Sequence, residues 1–315
     1  MNWRMEVISK VDGNDIARVY IARNRDGKLV EFVESTQPPL SIRQKWVLII
    51  STLFGCPVDC KFCDAGGSYQ GKLSKEELFF QIDYAVRQRF PEGSIDTDKF
   101  KVQFARMGEP VFNKEVIDVL KEIPSRYHYR SFVPSLSTIG PSGSRDFFDE
   151  LLALKKELYP KEFQLQFSIH STEKKQRDEL LPVKKMDFTE IAAYGEKFFD
   201  REGKKITLNF ALGKNSIVNS SVLRNYFSPD IFLIKLTPVN PTLKASYNGI
   251  ESLISLKNHK LALLDELNAA GFEHILSIGE WEENKIGSNC GQYVNSVLQE
   301  CRKSEESYTY RVETI

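Results

Sequence analysis

The sequence predicts an α/β protein: a partial, open (β/α)6 barrel with a small N-terminal β element and a C-terminal helical tail. Three observations carry this. From residue 46 onward, short runs rich in β-branched and aromatic residues alternate with helix-patterned segments, which is how parallel strands joined by helices read. There are six such units, fewer than the eight that close a TIM barrel. With 315 residues, 41% of them hydrophobic, the chain can bury one large core.

In order, the N-terminal β element has strands at 17–22 and 28–34 around an Arg25-Asp26-Gly27 turn. The six barrel strands are expected at 46–51, 100–105, 132–138, 163–169, 206–212 and 231–237. Ser74-Lys75-Glu76-Glu77 reads as a capping box that opens a helix to about Phe90. Leu78, Ile82, Ala85 and Val86 fall on one face of it. Phe147, Leu151, Leu154 and Leu158 stripe another helix. Asp187 and Glu190 frame the start of a third, which Gly203 is placed to end. These stripes are ordinary core faces. The division is residues 1–45 as the β extension, 46–286 as the barrel core and 287–315 as the helical tail.

Charge and targeting signals exclude several classes. The 43 Lys and Arg balance the 43 Asp and Glu, which argues against a polycationic arm, though a local basic face can still bind nucleic acid. Residues 1–13 lack an apolar signal region, and no run approaches membrane-spanning length. A soluble protein of the reducing cytoplasm is expected. Five cysteines, an odd number, do not make a disulfide framework there.

The chemistry concentrates in Cys56-x3-Cys60-x2-Cys63, directly after the first barrel strand. Three thiolates are one too few for a four-iron cluster, which normally takes four. A cluster held by three leaves one iron open to another ligand, and radical chemistry with S-adenosylmethionine (SAM) is one use of such cofactors. The competing reading is zinc. Zinc sites pair two Cys-x2–4-Cys units, or one with closely spaced histidines. There is no second unit, and His128, His170, His259 and His274 are scattered.

Enzymes on parallel barrels place their chemistry at the carboxyl ends of the strands. Those positions hold Gly108-Glu109-Pro110 after strand two, Ser137 and Thr138 at the end of strand three, Ser168-Ile169-His170 at strand four and Asn240 after strand six. Gly108 permits a close backbone approach and Pro110 removes a competing donor. The turn's carbonyls and Glu109 suit the ammonium of SAM, and Ser137, Ser168 and Asn240 suit its carboxylate, ribose or adenine. Taken singly, each is also an ordinary turn or loop-cap residue. His170 reads as a core histidine rather than a catalyst.

Several stretches together resemble the RlmN/Cfr family of the radical SAM superfamily, class A methyltransferases. They are the cysteine loop, Met107-Gly108-Glu109-Pro110-Val111-Phe112-Asn113, Leu136-Ser137-Thr138, Phe167-Ser168-Ile169-His170, Arg177 to Val183 with Lys184-Lys185, Pro238-Val239-Asn240-Pro241 and Asn289-Cys290-Gly291-Gln292. They stand in the family's order, from about Lys28 to Val294. The resemblance implies a [4Fe-4S] cluster on Cys56, Cys60 and Cys63, SAM as cofactor, and an electron donor such as flavodoxin or ferredoxin. It also implies that Cys290 takes a methyl group from one SAM by displacement. A radical made from a second SAM then takes hydrogen from the thiomethyl group, and the resulting carbon radical adds to an sp2 carbon of the substrate. In the family that carbon belongs to an adenine in RNA. A thiol suits such a carrier because sulfur is nucleophilic as thiolate. A free cysteine is also often just a small buried hydrophobe. Glu31, in Val30-Glu31-Phe32, loosely resembles a family glutamate that assists proton removal, and is set down with Cys290 as catalytic. The other reading makes Glu31 and Glu34 solvated strand residues.

Two departures qualify the resemblance. The family's second cysteine, seven residues before the first cluster cysteine, is replaced by Ile49. Cys301, eleven residues after Cys290, is the only spare thiol; on a helix that is about three turns away. The segment before strand one is also too short for the family's separate RNA-contacting helical domain. The expected function is therefore methyl or methylene transfer through Cys290 to an sp2 carbon of an RNA purine or of a small heteroaromatic substrate. The alternative is direct hydrogen abstraction from substrate, with Cys290 as hydrogen donor. A third reading, an iron–sulfur RNA-binding protein without turnover, is disfavoured by the intact SAM-site motifs.

Overall fold

In the computed structural model the described residues are 5–13, 16–36, 38–255, 261–279, 281–289, 293–294 and 309–315. Among them, one sheet runs through eleven strands. They are β1 (Met5–Gly13), β2 (Ala17–Asn24), β3 (Leu29–Ser35), β4 (Trp46–Ile50), β5 (Phe100–Phe104), β6 (Phe132–Thr138), β7 (Gln164–Ser168), β8 (Ile206–Leu212), β9 (Phe232–Pro238), β10 (His274–Leu276) and β11 (Glu313–Thr314). From β4 to β10 the neighbours are consecutive and parallel. On the other side of β4 come β3, β2, β1 and β11, all antiparallel. The crossovers are helical: α1 (Lys75–Arg89), α2 (Glu115–Arg126), α3 (Arg145–Leu158), α4 (Lys174–Leu180), α5 (Phe188–Phe198), α6 (Ser220–Tyr226), α7 (Leu243–Tyr247) and α8 (Ala262–Ala269). A last short helix, α9 (Trp281–Ile286), follows β10. This is the partial α/β barrel that the sequence predicts, with a seventh short parallel strand at its edge.

Each parallel strand has two unlike faces. In β5, Phe100, Val102 and Phe104 are fully buried, while Lys101 and Gln103 between them are only half-buried. Alternation of this kind puts the first set against the helices and the second on the concave interior. Leu136, Phe167, Leu208, Phe210 and Ile234 extend the helix-facing core. Trp46 is fully buried, stacks on Phe100 at 5.2 Å and meets Phe90 edge-on.

The helix signals hold at their starts. Ser74 and Asp187 both form complete capping boxes, with Glu77 and Glu190. The end of α5 differs from expectation. It stops at Phe198, because residues 200–203 make their own turn, in which the Gly203 amide donates to the Asp200 carbonyl at 2.8 Å. In the stripe of α3, Phe147, Leu151 and Leu154 are buried, but Leu158 at the helix end is exposed.

The N-terminal element is larger than two strands. β1 precedes it, and β3 pairs with β4, so it continues the barrel sheet. The solvated reading of its acids is overturned: Glu31 and Glu34 are 0% and 3% exposed. The Glu34 carboxylate accepts from Arg18, Tyr20, Trp46 Nε1 and Arg89, which joins the extension to β4 and α1. The tail was expected to be helical. Residues 293 and 294 are, but the chain finishes as β11, paired with Ser9 and Lys10. Residues 295–308, Cys301 included, lie outside the described residues.

Replacing a helix-facing interior aromatic should be costly and replacing an exposed one should not. Phe104→Ala should lower unfolding free energy by about 3–5 kcal/mol in a denaturant titration, through lost burial and the cavity left behind. Tyr247→Ala, at a side chain 90% exposed, should change it by less than about 0.5 kcal/mol.

Candidate active site

The cysteine loop leaves β4 and is shaped by backbone constraints. Gly55 has φ +74°, and a Cβ there would sit 2.1 Å from the Ser68 carbonyl oxygen. Clamps from later in the chain fix the loop. The Asp64 carboxylate accepts from the Leu243 and Lys244 amides at the start of α7. The Thr242 hydroxyl donates to the Phe62 carbonyl, and Lys244 Nζ pairs with Asp59. The segment carrying Asn240 is thereby held against the loop.

Cys56, Cys60 and Cys63 are all free thiols. Burial pushes Cys56 up to about 11, and pushes Cys60 well above the ordinary range. The thiolates also act on one another: the charges of Cys63 and Cys56 raise Cys60 further. Ionising Cys56 and Cys60 here would call for a shared positive centre, which iron would supply. Among the described residues, no three His, Cys, Asp or Glu side chains gather tightly enough for a single ion.

The turn after β5 is built as expected in its backbone and differently in its side chain. Gly108 has φ +94°, and a Cβ would lie 2.5 Å from Leu53. Glu109, however, is turned inward. Its carboxyl group accepts from the Thr138 hydroxyl at 2.6 Å, the Ile139 amide at 2.9 Å and the Val111 amide at 3.1 Å. Burial outweighs these donors and raises it to about 7. Glu109 therefore ties the end of β5 to the end of β6, and a ligand ammonium at this turn meets the backbone first.

The other predicted polar residues lie on the interior face or its rim. Ser137 Oγ accepts from Gln103 and Gln166, from the strands on either side. Ser168 is in register with Asn209 of β8. The Asn240 carbonyl accepts from the Thr242 amide at 2.8 Å. His170 is buried at φ +63°, an uncommon conformation for a non-glycine residue. Its Nδ1 accepts from the Ala211 amide at 3.0 Å, and its ring meets Phe62 of the cysteine loop edge-on at 4.8 Å. Burial, then the charge of Arg177, lowers its pKa to about 3, so it stays neutral. It is a structural histidine, as the sequence reading held. Ile49 pairs with Gln103 on the interior face.

Sequence reasoning missed the group that organises this mouth. Arg106, one residue before the Met107-Gly108-Glu109 turn, is buried and ion-paired with Glu31 at 2.5 Å. Its guanidinium also donates to the carbonyls of Gly287, Ser288 and Asn289. Glu31 accepts from the Tyr293 amide at 2.9 Å and the Val294 amide at 3.3 Å. Cys290, Gly291 and Gln292 lie outside the described residues, but the chain on both sides of them is fastened to one ion pair. Burial pushes the Glu31 carboxyl group upward, while Arg106 and the two amides oppose it. Both its oxygens already accept hydrogen bonds, so Glu31 stands in the mouth as an anchor more than as an open base.

The likenesses to known proteins follow the same lines. No protein-family model matches the chain. It is 26% identical over 234 residues to a probable dual-specificity RNA methyltransferase RlmN of Desulfitobacterium hafniense, covering 72% of this chain. The match spans 63% of that relative's length. It is 25% identical over 301 residues to the probable RlmN of Petrotoga mobilis, covering 94% of this chain and 79% of that one. Among solved structures, a radical SAM methyltransferase from Sphaerobacter thermophilus superposes with a TM-score of 0.70 at 20% identity, over 92% of this chain and 81% of that one. The chain therefore shares the fold of that solved radical SAM methyltransferase, and in sequence it is similar to proteins named RlmN.

The ion pair should behave as one unit. Arg106→Met or Glu31→Gln alone strands a buried partner and should cost about 3–5 kcal/mol. The double variant should cost clearly less than the sum of the two. Hydrogen exchange should show the Tyr293 and Val294 amides losing protection in Glu31→Gln. Unchanged protection there would refute the anchoring role.

Proposed function

We propose that this chain transfers a SAM-derived methyl or methylene group through Cys290 to an sp2 carbon of an aromatic heterocycle. The observation that carries the proposal is the Arg106–Glu31 pair, which holds residues 287–289 and 293–294 beside the turn that faces the cysteine loop. A carrier thiol needs such fixing, since positioned reactants gain most from lost freedom.

Cys56, Cys60 and Cys63 would hold a four-iron cluster with one iron open. A cluster of that kind supplies the electron that cleaves SAM reductively when both are bound. The backbone of Gly108 and Pro110, with Ser137, Ser168 and Asn240, would bind SAM, and Glu109 would set the turn from behind. Cys290 acts as thiolate. Its sulfur bonds to the methyl carbon, the carbon–sulfonium bond breaks, and the pair of electrons leaves on S-adenosylhomocysteine.

RNA enters through the relatives' printed names, which describe RNA methyltransferases. An RNA purine is therefore one acceptor class and a small heteroaromatic compound the other. Ile49 bears on the choice, because it offers neither proton nor lone pair on the interior face where the family places its second cysteine. An electron donor such as flavodoxin or ferredoxin completes the cycle. No helix of the described residues is long and apolar enough to cross a membrane, which agrees with a cytoplasmic setting.

Anaerobic reconstitution with methyl-labelled SAM, followed by peptide mass mapping, tests the proposal. S-methylcysteine is expected at position 290, and Cys290→Ala should lose substrate methylation entirely. Cys56→Ala should abolish 5′-deoxyadenosine formation. Ile49→Cys should shorten the life of a Cys290–substrate adduct or change the product. If Cys290 stays unmodified under turnover and Cys290→Ala keeps full activity, methyl transfer is wrong and direct hydrogen abstraction replaces it.

A further inference from the structure

On the helix-covered side of the sheet, a groove of about 640 Å³ runs between α1 and the strands β1 and β2. That volume is within the range of small-ligand sites. Phe80, Tyr84, Arg87 and Gln88 line one wall, at the i, i+4, i+7 and i+8 positions of one face of α1. The Tyr84 ring is held among Phe80, Tyr20 and Phe32, whose centroids lie 6.0, 5.2 and 6.0 Å away. It keeps partial exposure even so. The wall is therefore a fixed aromatic surface that a ligand can reach.

The charged groups that line this groove are Arg23, Arg25 and Arg87, with Glu6 as the one carboxylate. Glu6 and Arg23 pair at 2.6 Å across β1 and β2, with side chains 62% and 50% exposed. A pair so open contributes little to stability and yields readily to another anion. Arg87 Nε donates to the Asp83 carbonyl at 3.1 Å. Arg25 stands exposed on the turn after β2. That turn is fastened: the Asn24 side-chain oxygen accepts from the Asp26 and Lys28 amides, and its Nδ2 donates to Glu77 of α1 at 3.1 Å. The two walls are thus tied together in the absence of any ligand. Guanidinium forks match phosphate, and tyrosine faces stack on bases. Formal charge balances over the whole chain, so the arginine excess beside an aromatic wall is a local feature.

We infer that this groove is a second binding site, separate from the mouth, for a nucleoside phosphate unit, with its base against Tyr84 and its phosphate on Arg23, Arg25 and Arg87. A bare anion would have no use for the aromatic wall, and a plain aromatic compound none for three guanidinium groups. The site does not depend on methyl transfer through Cys290. Two sources carry the chemistry it takes: a free nucleotide and one residue of a single-stranded RNA. The groove's place in the sheet bears on the second. Ile21 is in register with Glu31, and Arg23 with Leu29. Arg23 therefore stands two residues, about 7 Å, beyond Glu31 toward the mouth end of the sheet. The turn that follows ends at Lys28, whose Nζ lies over the ring of Phe54, just before the cysteine loop, at 5.6 Å. A strand in the groove can thus continue around this turn to the mouth.

The test uses the full chain without turnover and reads position as well as affinity. Arginine modification by a dicarbonyl reagent is mapped by mass spectrometry in the presence of AMP, adenosine, a single-stranded oligoadenylate or an aspartate-rich peptide. AMP or the oligoadenylate should suppress modification of Arg23 and Arg25 roughly fivefold or more, while adenosine, which lacks the phosphate, leaves both unchanged. Protection by AMP and the oligoadenylate alike assigns a free-nucleotide site. Protection by the oligoadenylate alone, falling steeply with salt, assigns an RNA strand. Arg25→Gln should weaken the binding roughly fivefold or more by removing a charge-assisted contact. Tyr84→Leu should do so by a similar factor through lost stacking, and Tyr84→Phe should keep the parent affinity. Thermal unfolding establishes that each variant is folded, and Arg25→Gln, at an exposed turn position, should keep the parent midpoint. Protection by neither nucleotide probe would overturn the proposal, as would equal protection by the peptide or parent affinity in both folded Arg25→Gln and Tyr84→Leu. Methylation of Cys290 with these arginines unprotected would remove the groove site and leave the methyl-transfer reading standing. Protected arginines with Cys290 unmodified would do the reverse.

Discussion

The Glu31–Arg106 pair is the contact on which the mouth of this barrel depends. It lies in the interior, where each charge alone would be expensive and the pair tolerable only with its remaining hydrogen-bonding capacity met. That capacity is met by backbone: three carbonyls from 287–289 on the arginine and two amides from 293–294 on the glutamate. One ion pair thus joins β3, the end of β5 and the segment that carries Cys290. Ser51 adds a second tie, donating to the Glu31 carbonyl and accepting from the Met107 amide. Gln81 of α1 brackets Ser51 from behind by accepting from its amide and donating to its carbonyl. Five parts of the chain therefore share one small polar knot.

The knot makes the N-terminal strands part of the structure that shapes the mouth. Glu31 and Glu34 flank Phe32 and Val33 on β3, three residues apart and so on opposite faces, and both carboxylates are buried. Glu34 gathers Arg18, Tyr20, Trp46 and Arg89 at one level, and Glu31 gathers the mouth at another. A strand that carries two satisfied buried acids fixes register as well as packing, since a one-residue slip would put both in the wrong place.

Much of the architecture was legible locally. β6 and β8 have the limits read from the sequence, and both capping boxes form. These are short-range signals, set by β-branched and aromatic content and by a side chain reaching three residues. What failed was long-range or irregular. β1 has Ser9, Lys10 and Asp12 within it and a register shift between Val7 and Ser9, so no clean alternation marks it. β10 is three residues long and owes its existence to its pairing with β9. The site divides the same way. The cysteine loop and the Gly108 turn announce themselves by spacing and by glycine, whereas Arg106 and Glu31 are separated by 75 positions and no local pattern joins them. One signal was present and unused: Phe100-Lys101-Val102-Gln103-Phe104 alternates, where a parallel strand buried on both faces reads as continuously apolar.

That alternation organises the interior into layers of different chemistry. Sulfur and backbone stand at the rim, with amides and hydroxyls below them. This lower layer is neutral, with Ser137 accepting from Gln103 and Gln166 across three strands. Neutrality there has a physical consequence. A charge buried in that layer would need a partner of its own, whereas the amides and the hydroxyl satisfy one another. Ile49 belongs to the same layer through its pairing with Gln103. An isoleucine there places no ionisable group in the layer.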